Sequence, residues 1–240
     1  MLLKDIIRHI LIRLRLDVTK NLKYDRLTSS IIQKVLKNDS NCIDIGCHKG
    51  EILSLILKHA PQGKHFAFEP VPEFYSGLKD NIPPTVTLYP FALSDENGTS
   101  GFHWVKNAPA YSGIKKRRYD IQNPDIEKIE VNVKRLDDII PHDTRIDFIK
   151  VDVEGGEFGV FKGAERLLKT YRPTLLFECG KGASEYYGSK PEDIHDFLHT
   201  NCQLSIYTLQ GFLANDQPVS RADFKMYFDT NKEYYFVASS

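Results

Sequence analysis

Strand-like runs alternate with amphipathic stretches along most of this chain, and this alternation is the main structural signal in the sequence. The strand-like runs lie at 42–45, 65–68, 86–89, 127–133, 146–154, 173–179, 204–209 and 234–238. The stretches typical of helices lie at 24–37, 51–58, 71–81, 136–140, 157–169 and 191–200. Because strands and helices alternate, the pattern predicts an α/β fold with a parallel sheet and right-handed crossovers.

The C-terminal region departs from this alternation. Residues 211–229 are loop-like and lie between the strand-like runs 204–209 and 234–238. Two strands that are joined without a clear helix are typical of antiparallel neighbours. The pattern therefore predicts that the sheet closes with an antiparallel hairpin.

Residues 96–125 also interrupt the alternation, after a third strand that is predicted to run from 86–89 through Pro90 into 91–95. The segment holds the only Trp and little helical periodicity, so we interpret it as an insertion over the site. Long ordered loops on α/β scaffolds often carry substrate contacts, and this predicts substrate contacts for Tyr111 and Ser112. The basic run 115–118 has two interpretations, which are a binding surface for an acidic substrate and a solvated surface.

The first residues of the chain form a separate pattern. Residues 1–16 have apolar positions at helical spacing with three Arg among them, and residues 1–40 are locally basic. Such a helix either docks on the domain or a second copy of it, or lies on the anionic inner face of a membrane. We predict an N-terminal helical segment over 1–38 and one domain over 39–240.

Composition narrows the function classes. Lys+Arg and Asp+Glu both number 32, so no overall field attracts nucleic acid. The four Cys are scattered without a C-x-x-C pair, which indicates reduced thiols in a cytoplasmic protein. No apolar run approaches the ~18 residues that a membrane-spanning helix needs. The oligomeric state stays open.

Residues 41–51, NCIDIGCHKGE, contain the strongest chemical signal. A strand, a glycine turn and a helix follow one another there, so backbone amides at the helix N-terminus face a ligand. A dinucleotide site needs G-x-G-x-x-G, but the second glycine position is His48. The spacing from Asp44 to Gly46 and Gly50 suits a ligand without a pyrophosphate, such as S-adenosylmethionine.

An acidic residue follows the glycine loop at the distance that ribose recognition requires. Glu69 ends the second strand 19 residues after Gly50, and Pro70 fixes the turn beside it. A carboxylate about 20 residues beyond such a loop accepts hydrogen bonds from both ribose hydroxyls. The end of the third strand lies at the same sheet edge and is predicted to contact the adenine through Ala92, Leu93, Ser94 and Asp95.

Four blocks of the sequence resemble the FkbM-type methyltransferases, a branch of the class I S-adenosylmethionine-dependent enzymes. The blocks are CIDIGCHKGE, FEPVPEFY with FALSDENG, VKRLDDII, and DFIKVDVEGGEFGVFKGAERLL followed by PTLLFEC. The resemblance implies a Rossmann-like seven-stranded sheet, mostly parallel, with helices on both faces and the last strand antiparallel. It also implies O-methylation of a sugar, glycan or related small molecule, with Asp44, Gly46 and Gly50 around the methionine part of the cofactor. Asp152, Glu154 and Glu157 would then line the reaction face.

Carboxylates at two strand ends are candidates for the chemistry. Asp152 and Glu154 share one face of their strand because side chains alternate, and Glu178 ends the next strand. Converging carboxylates raise one another's pKa, which suits a general base for a hydroxyl group. Asp152, Glu154 and Glu178 also offer the oxygen ligands that Mg²⁺ prefers, so a metal-assisted reaction stays open. For Glu154 and Glu157, the alternative is a role at the N-terminus of the following helix.

Two other functions remain as alternatives to a methyltransferase. A nicotinamide-dependent oxidoreductase is disfavoured because G-x-G-x-x-G is absent. A non-catalytic domain that binds a partner or a membrane surface is motivated by the basic N-terminus. The acids at all three strand ends argue against it, since a domain without activity does not need them.

Overall fold

A seven-stranded sheet lies at the centre of the computed structural model, which describes residues 19–240. The described residues form ten strands: β1 (Cys42–Ile45), β2 (His65–Phe68), β3 (Val86–Tyr89), β4 (Phe91–Leu93), β5 (Gly98–Val105), β6 (Ile126–Lys134), β7 (Phe148–Val151), β8 (Thr174–Glu178), β9 (Ser205–Thr208) and β10 (Tyr235–Ser239). They also form nine α-helices: α1 (Lys20–Val35), α2 (Glu51–His59), α3 (Pro72–Lys79), α4 (Leu136–Ile139), α5 (Glu157–Gly163), α6 (Glu165–Tyr171), α7 (Pro191–Asp196), α8 (Leu209–Ala214) and α9 (Arg221–Thr230).

The strand order of the large sheet is β3-β2-β1-β7-β8-β10-β9. Neighbours from β3 to β8 are parallel, whereas β10 is antiparallel to both β8 and β9. This order confirms the predicted α/β fold with a mostly parallel sheet and an antiparallel last strand. β1, β2 and β7 are buried along their whole length, as expected for parallel strands that are covered on both faces.

Two apolar clusters cover the two faces of this sheet. One cluster packs β1, β7 and β8 against α5, α6, α7 and α9. The other packs α1 and α2 on the opposite face, where Ile31 and Ile32 of α1 are fully buried against Phe148 and Val237. Each such side chain contributes about 1.5–3 kcal/mol relative to an exposed one. Helix α1 is therefore part of the same core as the sheet.

Part of the predicted insertion over 96–125 belongs to a second, three-stranded sheet. Its order is β4-β6-β5, and β5 pairs with β6 along its whole length. The prediction of one strand from 86–89 into 91–95 is wrong, because the chain changes sheets at Pro90, which has no backbone N–H for the ladder. Only residues 106–125 form an irregular excursion, with a short 3₁₀ turn at Pro109–Tyr111.

Three further predictions need correction. The loop-like region 211–229 contains α8 and α9, and Ser220 caps α9 by accepting a hydrogen bond from the Asp223 N–H. The single helix over 157–169 is two helices that meet at Ala164. Helix α7 ends in a π-helical turn at Phe197–Asn201, inside the predicted helix 191–200.

The predicted basic helix at 1–16, together with its alternative membrane contact, lies outside the described residues. Within residues 19–240, every helix is too short or too polar to cross a bilayer.

Candidate active site

The carboxyl ends of the parallel strands open into a cavity of about 1240 Å³. Eleven of the predicted site residues line it: Gly46, Glu69, Pro70, Ala92, Leu93, Ser94, Tyr111, Ser112, Asp152, Glu154 and Glu178. Asp44, Gly50, Asp95 and Glu157 lie near it without lining it in the described part of the chain. The structure thus brings together residues from five strand ends and from the 106–125 excursion.

The glycine loop turns sharply at both of its glycines. Gly46 has a φ of 71° and Gly50 a φ of 80°, in the left-handed region that favours glycine. A Cβ at Gly46 would lie 2.0 Å from the Asp152 carbonyl oxygen, so the ends of β1 and β7 touch there. His48 also has a positive φ, of 49°, and its ring packs 4.2 Å from the Phe74 ring.

Glu69 connects the end of β2 to the glycine loop. One carboxylate oxygen accepts a hydrogen bond from the His48 N–H at 2.8 Å, and the other accepts one from the Val71 N–H at 2.8 Å. The residue is only 4% exposed, and burial raises its pKa to about 7 although the two amides oppose this. The free lone pairs of its carboxylate are available for ribose hydroxyls.

The end of β4 supplies the predicted adenine side of the cavity. Ala92 and Leu93 are buried, and Ser94 donates a hydrogen bond to the Asp95 carboxylate at 3.1 Å. The Asp95 carboxylate points away from the cavity and pairs with Lys162 of α5. The structure therefore supports a wall of Ala92 to Ser94, with Asp95 behind it.

A buried row of charges lies beneath the glycine loop. Lys150 Nζ is 3.5 Å from the Asp44 carboxylate and 3.6 Å from the Asp152 carboxylate, and it donates a hydrogen bond to the Gly46 carbonyl at 2.8 Å. Burial alone would lower the pKa of Lys150, but the two carboxylates raise it above its usual value. Burial raises the pKa of Asp44, and Lys150 opposes this.

Three carboxylates converge on the acceptor side of the cavity. Asp152, Glu154 and Glu178 each place one oxygen within 4.8 Å of the others. Burial, followed by the charges of Asp152 and Glu157, raises the pKa of Glu178 to about 8. The pKa of Glu154 is also raised by burial and by Glu178 and Asp152, whereas Arg117 opposes the shift.

Two side chains already hold members of this cluster. Arg117 forms a salt bridge with Glu154, and the Tyr235 hydroxyl donates a hydrogen bond to Asp152 at 2.8 Å. A guanidinium group in the cluster supplies the positive charge that Mg²⁺ would bring, so the residues do not fit a metal site in this arrangement. We derive no reaction step through a metal.

Glu157 does not face the cavity. Its carboxylate accepts hydrogen bonds from the N–H groups of Val153 and Gly155, at 3.1 and 3.0 Å, and the residue is 2% exposed. These contacts fix the turn in which Glu154 has a left-handed φ of 57°. Glu157 therefore supports the turn, as in the helix-terminus alternative, and the structure gives it no contact with the reaction face.

The irregular excursion forms another wall of the cavity. Ser112 Oγ accepts a hydrogen bond from the Val105 N–H at 3.0 Å, which fixes the loop to β5. The Tyr111 ring packs against the Arg117 guanidinium at 5.0 Å. Tyr187 lies beside them and accepts a hydrogen bond from the Lys115 N–H at 3.2 Å. Within the basic run, Arg117 thus belongs to the cavity wall.

Sequence reasoning missed three charged or polar residues of the site. Lys150 is the central residue of the predicted strand 146–154 and resembles an ordinary strand residue, although a Lys within an apolar run is a usable signal. Tyr235 lies in the final strand, and its contact with Asp152 depends on β10 entering the sheet next to β8. The contact of Arg117 with Glu154 depends on the path of the excursion.

Comparisons with known proteins agree with one another. A family model described as the methyltransferase FkbM domain matches residues 44–205, well over half of the chain. "Methyltransferase sdnD" of Sordaria araneosa is 30% identical in an alignment of 155 residues, which covers 51% of this chain and 60% of that protein. "Methyltransferase 1" of Beauveria bassiana is 26% identical in an alignment of 148 residues, which covers 53% of this chain and 59% of that protein. The chain thus matches about 60% of the length of these curated relatives.

A solved structure shares the fold. The crystal structure of the methyltransferase FkbM from Methylobacillus flagellatus KT aligns with a TM-score of 0.53 at 14% identity. The alignment covers 99% of this chain and 59% of that chain.

Proposed function

Since the chain belongs to the FkbM methyltransferase family, we propose that it transfers a methyl group from S-adenosylmethionine to a hydroxyl group of a sugar, glycan or related small molecule. The observation that carries this proposal is one cavity with two chemically different halves. The glycine loop and Glu69 form one half, and the carboxylates of Asp152, Glu154 and Glu178 form the other.

The first half suits S-adenosylmethionine. Glu69 is placed to accept hydrogen bonds from the ribose, and Ala92 to Ser94 form an adenine wall at the next strand end. Gly46 and Cys47 bring the main chain to the cavity and are fixed to β2, because both of their N–H groups donate to the Phe68 carbonyl. When bound, the cofactor would supply an electrophilic methyl group on a sulfonium, whose carbon–sulfur bond breaks to release S-adenosylhomocysteine as a neutral thioether.

The second half suits activation of a hydroxyl group. A sugar hydroxyl is a weak nucleophile, so a carboxylate takes its proton as the oxygen attacks the methyl carbon. Glu154 is the base we propose, because it lines the cavity and because its raised pKa makes its carboxylate a stronger base toward a hydroxyl proton. Arg117 orients this carboxylate, and Asp152 is held by Tyr235 beside it. The remaining task of the cavity is to align the acceptor oxygen, the methyl carbon and the sulfur.

The nicotinamide alternative has less support. His48 stands where a pyrophosphate would approach the main chain, and its bulky ring is packed on Phe74. A non-catalytic domain also has less support. Four acidic residues at strand ends line one cavity, and burial of their carboxylates costs free energy. A domain that only binds a ligand does not require that cost.

Calorimetric titration with S-adenosylhomocysteine, with NAD as the control, tests the cofactor assignment. We expect micromolar binding of S-adenosylhomocysteine and no binding of NAD. Binding of NAD alone contradicts the proposal, and binding of neither favours the non-catalytic domain. Once a sugar acceptor is found with labelled S-adenosylmethionine, Asp152→Ala and Glu154→Ala should lose turnover but keep the fold. Full turnover in both variants would contradict the roles of these carboxylates.

A further inference from the structure

Lys150 is a buried lysine whose ammonium group contacts both halves of the site. It lies in β7, is 6% exposed, and donates a hydrogen bond to the Gly46 carbonyl at 2.8 Å. Its Nζ lies between the carboxylates of Asp44 and Asp152, at 3.5 and 3.6 Å. The parallel register of β1 and β7 sets Asp44 directly beside Lys150, and Asp152 is two positions further along the same strand face.

Charge balance favours an ammonium group at this position. Asp44 is fully buried, and its ionised form is stabilised by the charge of Lys150 and by the Leu53 backbone N–H. An ionised carboxylate in that position needs a positive charge close by, and Lys150 supplies it. Lys150 therefore has a structural partner in Asp44 and two partners, Gly46 and Asp152, that line the cavity.

We propose that Lys150 is a positioning residue of the cofactor site, which holds the Gly46 carbonyl and the Asp152 carboxylate in place through one buried ammonium group. This inference rests on the proposed function, because it assigns the held groups to a cofactor. Lys150 also lines the floor of the cavity. It acts on the ligand through the glycine loop and Asp152.

The geometry explains why these two groups need a common support. Gly46 is held in a left-handed turn with the Asp152 carbonyl directly against its α-carbon, so the two strand ends have no room to shift independently. Asp152 has a second support in Tyr235, at 2.8 Å, whereas the donor to the Gly46 carbonyl is Lys150. Loss of the ammonium group should therefore disturb the glycine loop first.

Two variants separate positioning from folding. Lys150→Met keeps most of the length of the side chain and removes the charge, which leaves Asp44 without its partner. The double variant Asp44→Asn with Lys150→Met removes both charges, and such paired replacements restore much of the lost stability. The exposed Lys169→Met, whose partner is Glu165, serves as the control. The measurements are the Tm and the affinity for S-adenosylhomocysteine by calorimetry.

We expect Lys150→Met to lower the Tm by about 6–12 °C and to weaken S-adenosylhomocysteine binding by about tenfold or more. The double variant should regain most of the Tm but not the affinity, because the Gly46 carbonyl still lacks its donor. Lys169→Met should bind within about threefold of the natural chain.

Each other result overturns the inference. If Lys150→Met binds normally, or if the double variant regains the affinity together with the Tm, Lys150 serves the fold alone. If the double variant does not regain stability, the assumed charge balance is wrong. A natural chain that does not bind S-adenosylhomocysteine contradicts the proposed function itself, which is a different result from normal binding by Lys150→Met.

Discussion

Replacing Glu178 with glutamine tests the electrostatics of the carboxylate cluster. The pKa of Glu178 is raised from 4.5 to about 8 in the folded protein, by burial first and then by Asp152 and Glu157. The folded protein therefore holds this proton more tightly than the unfolded chain does. Protonated Glu178 adds stability that is fully present below about pH 4.5 and is lost as the pH rises through about 8.

The size of this effect follows from the same values. A change in pKa from 4.5 to about 8 corresponds to at most about 5 kcal/mol. Because the side chain is partly exposed to solvent, which screens these interactions, we expect about 2 kcal/mol. The free energy of unfolding of the natural chain should fall between about pH 4.5 and about pH 8, and Glu69 and Glu157, with pKa values of about 7, contribute in the same direction.

Urea unfolding followed by Trp104 fluorescence measures this difference. In Glu178→Gln, the fall in unfolding free energy over that pH interval should be smaller by about 2 kcal/mol. The exposed Glu96 provides a matched control, since Glu96→Gln should follow the natural chain. An unchanged pH dependence in Glu178→Gln would refute the electrostatic description of the cluster.

Three other predictions concern the cofactor half and the core. S-adenosylhomocysteine should bind about tenfold more tightly at about pH 8 than at about pH 6, because the Glu69 carboxylate, with a pKa of about 7, accepts ribose hydroxyls only when ionised. Calorimetry of Glu69→Gln should show no such pH dependence of the affinity. An equal pH dependence in this variant would show that Glu69 is not the titrating group. Gly46→Ala should lower the free energy of unfolding by about 3 kcal/mol or more and should abolish cofactor binding, because the added Cβ would clash with the Asp152 carbonyl oxygen. Gly77→Ala, at a position of α3 where an added Cβ has open space, should raise the free energy of unfolding by about 0.5–1 kcal/mol. Equal Tm values for Gly46→Ala and Gly77→Ala would contradict the predicted clash at Gly46. A chain that begins at residue 39 should aggregate because it lacks α1; a monomeric, cooperatively unfolding 39–240 chain would contradict the packing of α1.

The parts of the fold that sequence predicts well are those with a local signal. The strand, glycine turn and helix at 41–51 are adjacent in the chain, and the left-handed turns at Gly46 and Gly50 are the backbone states that glycine permits. Glu69 was predicted from its spacing, and its carboxylate indeed meets the glycine loop at His48. Spacing along a parallel sheet is sufficient here because successive strands lie side by side.

The parts that sequence does not predict depend on register and on long-range pairing. Helix α9 carries only two fully buried positions, Phe224 and Phe228, among charged neighbours, so its apolar periodicity is weak. The strand at 127–133 was predicted, but its place in a second sheet follows from its pairing with β5. The role of Glu157 depended on where its carboxylate points, and a pattern of residue types does not contain that information.

The site also needs parts of the chain that the family match does not include. The match ends at residue 205, yet β10 lies between β8 and β9 and places the Tyr235 hydroxyl against Asp152. Helix α1 precedes the match, and it is tied to the end of the chain because Tyr24 donates a hydrogen bond to Glu233 at 2.5 Å. The first turn of α1 and the residues before β10 also line the cavity. The matched block therefore carries the glycine loop, Glu69 and the three carboxylates, while α1 and β10 add to the wall of the same cavity. If the chain acts as proposed, differences in acceptor between relatives should map to these two elements.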